Sequence, residues 1–406
     1  MKFTNDAVSG VSGYFPQNNP EIGTPLEKTD SVPLLFTPIT IGNVTFKNRI
    51  FAAPMCQYSS DNGHATDWHL VHIGSIAARG VGAICMEATS VVPEGRISPE
   101  DAGLWTDSQM EPLKRIVNFA HAQGTKMGVQ LTHAGRKAST YAPWVQHKAG
   151  SRSTASQEEH GWPDEVFGPS PIPWSKNYVE PKELTKDQLI EIEDAFIASI
   201  ARCHKIGFDF IEIHGAHGYL LSSFVSPLSN VRSDEFGGQL CENRLRWPLR
   251  LIERCRAAWT KPLFVRISAT DWAEGPEQEN GVWKQFGIEQ SRVYASEMYK
   301  LGVDLVHVSS GGNWSNQKIT IILSNIVLQV PFAEYIKQAH PTQLVGVVGL
   351  IKDPKLAESY LQEGKADVIF LARALMRNPH WPLEAAEQLG VRVKAANQYE
   401  RAFYRV

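Results

Sequence analysis

The segment His214-Gly-Ala-His217-Gly-Tyr219 brings two imidazoles and a phenol together at the end of the run Phe210 to His214. Two imidazoles can donate hydrogen bonds to a carbonyl oxygen as charge develops on it, and a nearby tyrosine hydroxyl can pass a proton. The same pair is also open to reading as metal ligands or ordinary strand-end histidines. No Cys, Asp or Glu stands as an evident third ligand, so His-x-x-His alone is weak evidence for zinc.

Something must position these residues. From Ile50 onward, short β-branched runs alternate with longer amphipathic segments, the pattern of βα units around a parallel sheet. Eight runs are present: Ile50 to Ala53, Ala83 to Glu87, Lys126 to Leu131, Phe210 to His214, Leu263 to Ile267, Leu305 to Ser309, Leu344 to Val348 and Val368 to Leu371. One intervening helix begins at Thr185, whose spacing to Gln188 is that of a capping box. Its Leu189, Ile192, Phe196 and Ile200 recur at helical spacing and should face the sheet. A second follows Asp107, with Leu113, Ile116, Val117 and Ala120 inward and Gly124 as its stop.

A weak echo recurs at Gly207-Phe-Asp209, Gly302-Val-Asp304 and Gly364-Lys-Ala-Asp367, where a glycine ends a helix and an aspartate precedes a strand. Repeated αβ turns of this kind suit a closed barrel. The expected fold class is therefore α/β, a single (β/α)₈ TIM barrel over residues 33–406. Residues 1–32, rich in Gly, Pro, Asn and Ser without periodicity, read as an N-terminal extension, an extended arm or loose tail. Two insertions, about Tyr141 to Lys182 and about Asp271 to Phe286, should rise over the catalytic face as lids or substrate walls.

Barrel enzymes carry their chemistry at the C-terminal ends of strands, so the polar residues that end each run are the candidates. They are Pro54-Met55-Cys56-Gln57-Tyr58, Glu87-Ala88-Thr89, Gln130 with His133, then His214, His217 and Tyr219, Arg266 and Ser268, Ser309 to Gly312, Gly349 and Arg373. Glycines and an arginine at the last three strand ends suit a phosphate held by backbone N–H groups and a guanidinium. Gln130 donates and accepts, which suits an amide-like heterocycle, and Arg266 can stabilise negative charge on it. A flavin mononucleotide combines phosphate, pyrimidine amides and, when reduced, an anionic edge. Taken singly, Cys56 also reads as a buried small apolar side chain, and Arg266 or Arg373 as half of a structural ion pair. The functional reading rests on their joint placement.

The 406 residues carry a formal net charge of −3, with acids and bases mixed along the chain, so no electrostatic footprint suggests nucleic acid or an anionic membrane. The 43% hydrophobic and 20% charged content is that of a globular protein with a substantial core. Five scattered cysteines without a Cys-x-x-Cys pair suggest a reduced, intracellular setting. No run of ~18 apolar residues and no apolar signal core occur, so a cytoplasmic protein without a membrane span is expected.

The motifs, in this order, resemble those of the old yellow enzyme family of FMN-dependent ene-reductases, from about Leu35 to Arg401. The resemblance is carried by Leu35-Phe-Thr-Pro-Ile-Thr-Ile-Gly, Asn48-Arg-Ile, Ala53-Pro-Met-Cys56-Gln-Tyr58, Gln130-Leu-Thr-His-Ala-Gly-Arg136 and Ile213-His-Gly-Ala-His-Gly-Tyr-Leu220. Phe224-Val-Ser-Pro-Leu-Ser-Asn-Val-Arg-Ser-Asp-Glu-Phe-Gly-Gly238 and Glu242-Asn-Arg244 add to it. Cys56, the His/His pair and the early Tyr58 are similar to the thermophilic-like, class III branch.

By that resemblance, Ala53, Pro54, Met55, Cys56, Ala88, Gln130, Arg266, Gly349, Ala372 and Arg373 contact FMN, and Cys56 tunes its redox behaviour. It further implies that Tyr58 donates to the substrate, that His214 and His217 hold its carbonyl, and that Tyr219 delivers a proton to Cα. The implied reaction reduces small-molecule activated alkenes by ping-pong hydride transfer, with NADPH or NADH as reductant. A homo-oligomer is implied too, since Tyr399-Glu-Arg401 resembles a segment that brings Arg401 to a neighbouring site.

The chain departs from the family pattern at Ala372, where glycine commonly precedes the phosphate arginine. It departs again at Lys318 to Gln329, an apolar stretch continuing to Val330 in place of a short Pro-Gly-Tyr-Gln-like approach. The extension and the long loop after the third strand also exceed the compact pattern. Rival readings are a flavin-dependent biosynthetic dehydrogenase or isomerase, a non-catalytic FMN sensor, and a metal-dependent aldolase or hydrolase.

Overall fold

A computed structural model describes residues 5–11, 14–27, 31–150, 152–317 and 329–403. Eight strands, β1 (Ile50–Ala52), β2 (Ala83–Ser90), β3 (Lys126–Thr132), β4 (Phe210–Gly215), β5 (Leu263–Ser268), β6 (Leu305–Ser309), β7 (Leu344–Val348) and β8 (Val368–Leu371), follow one another in sequence order. Each pairs in parallel with its neighbours, and β1 bonds both β8 and β2, which closes the barrel. The expected α/β barrel is present. Strands buried on both faces read as largely apolar runs, which is why the eight were legible in the sequence. Their ends differ from expectation by up to three residues, most at β2, where a bulge between Met86 and Ala88 extends pairing to Ser90.

The helices lie outside the barrel. α1 (Asp67–Ala77) and α2 (Met110–Ala122) precede α3 (Lys186–Ile206), on which Thr185 and Gln188 form the expected capping box. Leu189, Ile192, Phe196 and Ile200 of α3, like Leu113, Ile116, Val117 and Ala120 of α2, are buried toward the sheet. α4 (Cys241–Ala258), α5 (Ile288–Lys300), α6 (Val330–Ala339), α7 (Pro354–Gln362) and α8 (Trp381–Gln388) complete the ring. Among the described residues no helix is long and apolar enough to cross a membrane.

The echoed Gly-x-Asp turns perform one structural task three times. Gly207, Gly302 and Gly364 adopt positive φ, which lets each chain reverse after its helix. Asp209, Asp304 and Asp367 then each accept a 2.8 Å bond from a backbone N–H at the start of the previous strand, at Met127, Leu263 and Val345 respectively. Each aspartate N–H also donates to the carbonyl of that same residue. The three turns thereby lace β4 to β3, β6 to β5 and β8 to β7 at the N-terminal face.

That end is closed by an antiparallel hairpin, Ile39–Ile41 with Val44–Phe46. Its Phe46 lies 4.8 Å from the Phe51 ring and 5.9 Å from Phe210, inside an apolar plug that includes Phe264 and Phe370. Gly128 on β3 and Gly346 on β7 make room for the plug, since an added Cβ would meet Phe210 at 2.2 Å and Phe370 at 2.5 Å. Near the chain start, Ile22 is buried, while Gly23 and Leu26 donate to the carbonyls of Lys394 and Arg392.

Candidate active site

Alternation along the strands decides what points inward. On β4 the inward set is Phe210, Glu212 and His214. On β5 it is Phe264, Arg266 and Ser268, and on β6 Leu305, His307 and Ser309. Arg266 stands in register with His214 on one side and His307 on the other, and Gln130 with Glu212. The barrel interior therefore grades upward from the aromatic plug, through a buried polar layer, to His214, Ser268 and Ser309 at the rim.

The two histidines and the tyrosine meet at that rim. Ring centroids are 5.4 Å apart for His214 and His217, and 4.9 Å for His214 and Tyr219. His217 sits at φ +61°, a left-handed conformation that costs a non-glycine residue on the order of 1 kcal/mol or more and persists only where its surroundings fix it. Three bonds fix it here. Its N–H donates to Ser268 Oγ at 2.9 Å, its Nε2 meets Ser309 Oγ at 2.7 Å, and its carbonyl accepts from Lys137 Nζ at 2.8 Å.

The Ala216 N–H lies 3.3 Å from His214 Nδ1, so the His214 proton sits on Nε2. His217 Nε2 is engaged by Ser309 Oγ, which leaves Nδ1 as its other ring nitrogen; where the hydroxyl donates, the His217 proton is on Nδ1. Burial, with Arg266 beside them, holds both histidines well below the usual imidazole range, so both are neutral. Burial, with Cys56 and Tyr58 nearby, raises the Tyr219 phenol well above its ordinary range and keeps its proton on.

Lys137, Trp174 and Glu212 entered none of the sequence-based candidates. Lys137 also donates to Gly312 O at 3.1 Å and lies 5.1 Å from the Tyr219 ring centre. Burial, with Arg136 adjacent, brings its ammonium down to about 7. Trp174, from the 141–182 insertion, covers Lys137 at 4.6 Å and donates to Gly312 O at 2.8 Å. Trp144 of the same insertion meets Tyr58 edge-on at 5.8 Å, so two tryptophans bring the insertion against the rim.

After β1, Ala53 donates to Leu371 O of β8, and the turn to Tyr58 is anchored by Glu87, whose carboxylate accepts from Gln57 N–H at 2.8 Å. Cys56 and Tyr219 pack on one small apolar cluster of Ile97, Ala134, Ala138 and Val166. Burial and the nearby acids Asp101 and Glu87 push the Cys56 thiol well up, so it is not a thiolate. Ala88 is buried next to the β2 bulge, in register with Gln130.

A cavity of about 320 Å³ opens across the ends of β5 to β8. It brings together His217, Arg266, Ser309, Ser310, Gly349, Ala372 and Arg373 of the expected residues, and adds Gln329, Lys352 and Arg377, which sequence reasoning missed. Among its described lining residues there are four cations and no carboxylate. Gly349 adopts φ +121°, a backbone conformation that other residues take only with strain, so glycine suits the turn. Ala372 opens the short helix Arg373–Arg377 with φ −112° and ψ −98°. Of the unusual apolar stretch 318–329, residues 318–328 lie outside the described ones. Gln329 forms part of the cavity wall. Tyr399 lies under the Arg79 guanidinium at 4.1 Å, and Arg401 is exposed.

A family model described as NADH:flavin oxidoreductase / NADH oxidase matches residues 34–391. The chain belongs to that family, the old yellow enzymes. It is 46% identical over 404 residues to an NADH:flavin oxidoreductase of Gibberella zeae, covering 98% of this chain and 95% of the relative. With an NADPH dehydrogenase of Geobacillus sp. strain WCH70 it shares 42% identity over 376 residues, covering 91% and 98%. Morphinone reductase has the same fold, with a TM-score of 0.70 at 23% identity over 93% of this chain and 95% of that one. This old yellow enzyme is thus an oxidoreductase with FMN as cofactor and NAD(P)H as reductant.

The residues present suit that cofactor. Arg266 is buried with its Nε unpartnered among the described residues, a costly arrangement unless a ligand accepts from it. The cation-lined cavity with its glycine turn suits a phosphate, and Gln130 and Arg266 suit a polar heterocycle beside it.

Proposed function

We propose that the enzyme reduces the C=C bond of α,β-unsaturated carbonyl compounds. The observation that carries this reading is the meeting of His214, His217 and Tyr219 at one rim, two neutral imidazoles beside a phenol that keeps its proton. FMN would be held by Ala53 to Cys56, Ala88, Gln130, Arg266, Gly349, Ala372 and Arg373, and when bound it supplies the hydride drawn from NAD(P)H.

The chain's own residues do the rest. Neutral imidazoles donate hydrogen bonds without placing a full charge in the site. His214 through Nε2 and His217 through Nδ1 would hold the substrate carbonyl, with Tyr58 as a further donor. Their bonds strengthen as negative charge collects on that oxygen, so they favour the transition state over the bound substrate. Tyr219 would protonate Cα, and the Lys137 ammonium near its ring steadies the phenolate that remains. Trp174, lying over Lys137 beside the Tyr219 ring, would help to wall the site and exclude water.

The test is direct. Anaerobic NADPH should bleach the yellow holoenzyme, and 2-cyclohexenone should restore the colour within turnover time. Bleaching without recovery across enones, enals, maleimides and nitroalkenes would reject the proposal and favour a dehydrogenase acting on another metabolite.

A further inference from the structure

We propose that Glu212, in the middle of the barrel, is a positioning residue that sets which face of the Gln130 amide the cofactor meets and offsets the Arg266 charge. The inference rests on FMN lying over Gln130 and Arg266.

Glu212 is fully buried on β4, two residues before His214 and therefore on the same inward face. Its Oε1 accepts from Gln130 Nε2 at 2.7 Å and its Oε2 lies 2.6 Å from His307 Nδ1. A carboxylate accepts and does not donate, so it compels the Gln130 NH₂ to turn inward and leaves the Gln130 carbonyl oxygen to offer a ligand. That oxygen is an acceptor, the partner an imide N–H of a flavin pyrimidine requires. Without the carboxylate either amide orientation is available, and a donor would meet that N–H.

His307 reinforces the arrangement. It is fully buried and stacked on Phe370 at 3.8 Å, and its Nε2 has no partner among the described residues. Burial lowers it to about 4, so it is neutral, with its single proton on Nδ1 facing Glu212. The layer therefore sets a carboxylate, Glu212, beside a guanidinium, Arg266, near enough for each to act on the other's charge. Reduction adds negative charge to a flavin. Arg266 favours that form and Glu212 restrains it, so the pair together sets how strongly the site prefers reduced over oxidised cofactor.

The test uses apoprotein reloaded with FMN, reading oxidised-FMN affinity by fluorescence quenching and the midpoint potential by dye equilibration. Glu212→Gln should hold the reduced form at least tenfold more tightly relative to the oxidised form, a positive shift of about 30 mV for a two-electron couple. Glu212→Asp should return the potential to wild type while weakening FMN binding at least fivefold, because its shorter carboxylate no longer reaches Gln130. A merely structural Glu212 would lower thermal stability in both variants and leave the potential of the loaded protein unmoved; that result overturns the proposal.

If Glu212→Gln does not accumulate folded, Glu212→Asp decides, and unchanged FMN affinity in it is equally contrary. Arg266→Gln separates the underlying reading. A negative shift there with a silent Glu212→Gln rejects only the role of Glu212, whereas silence in both means that the cofactor does not lie over this layer.

Discussion

Replacing Tyr219 by Phe removes one hydroxyl and leaves the ring. The ring's contacts, 4.9 Å to His214 and 5.1 Å to Lys137 Nζ, remain, so folding and FMN loading should be unaffected. What is lost is a positioned acid, a contribution of about 10²- to 10⁴-fold, or roughly 3 to 5.5 kcal/mol of barrel-rim transition-state stabilisation. The loss should fall on one half-reaction only. Stopped-flow reduction by NADPH should keep its wild-type rate, and reoxidation by 2-cyclohexenone should slow by that factor. Burial holds the phenol well above its ordinary range and brings Lys137 down to about 7, so the wild-type reoxidation rate should fall modestly as pH rises through about 7, where the ammonium that steadies the phenolate is lost, with no further change from the phenol itself up to about pH 9. Reoxidation of Tyr219→Phe within about threefold of wild type would refute the assignment of the acid.

Two further outcomes concern the scaffold. Gly128→Ala places a Cβ 2.2 Å from Phe210, so thermal denaturation should show a loss of about 1–3 kcal/mol; an unchanged midpoint would refute the plug packing. Burial pushes Asp101 up to about 7 from 3.8, against bonds from Ile97 N–H and Ser98. The folded state then binds the extra proton between those values, so this contribution to stability is complete below about pH 3.8 and is lost as pH rises through about 7, on the order of 4 kcal/mol in all. Asp101→Asn should flatten that part of the melting-temperature profile, and an unaltered slope would count against a buried, titrating Asp101.

Much of the barrel was legible because its strands are buried on both faces and therefore form short, largely apolar runs, and because α2 and α3 carry clear apolar stripes. The Gly-x-Asp echo was visible as a pattern, but its work, an aspartate capping the previous strand, depends on pairs such as Asp304 and Leu263 that only the closed sheet brings together. At the site, strand-end residues such as His214 and Arg266 could be read directly. Glu212 and His307 were missed because they lie one layer deeper, although the parity Glu212 shares with His214 marks its inward face. Lys137 and Trp174 meet only when the insertion folds back, a contact no local period encodes. Lys352 and Arg377 look like ordinary surface charges until the ends of β7 and β8 place them around one cavity.

The central claim is tested most directly by isotope placement in a single turnover on an enone. With NADPH carrying deuterium at the transferable position, the saturated product should hold that label at Cβ alone, and in deuterated water with unlabelled NADPH the label should enter at Cα alone, at a rate that falls in Tyr219→Phe. Reduction at the carbonyl carbon, solvent label at Cβ, or no alkene reduction by an enzyme that NADPH bleaches would contradict the account.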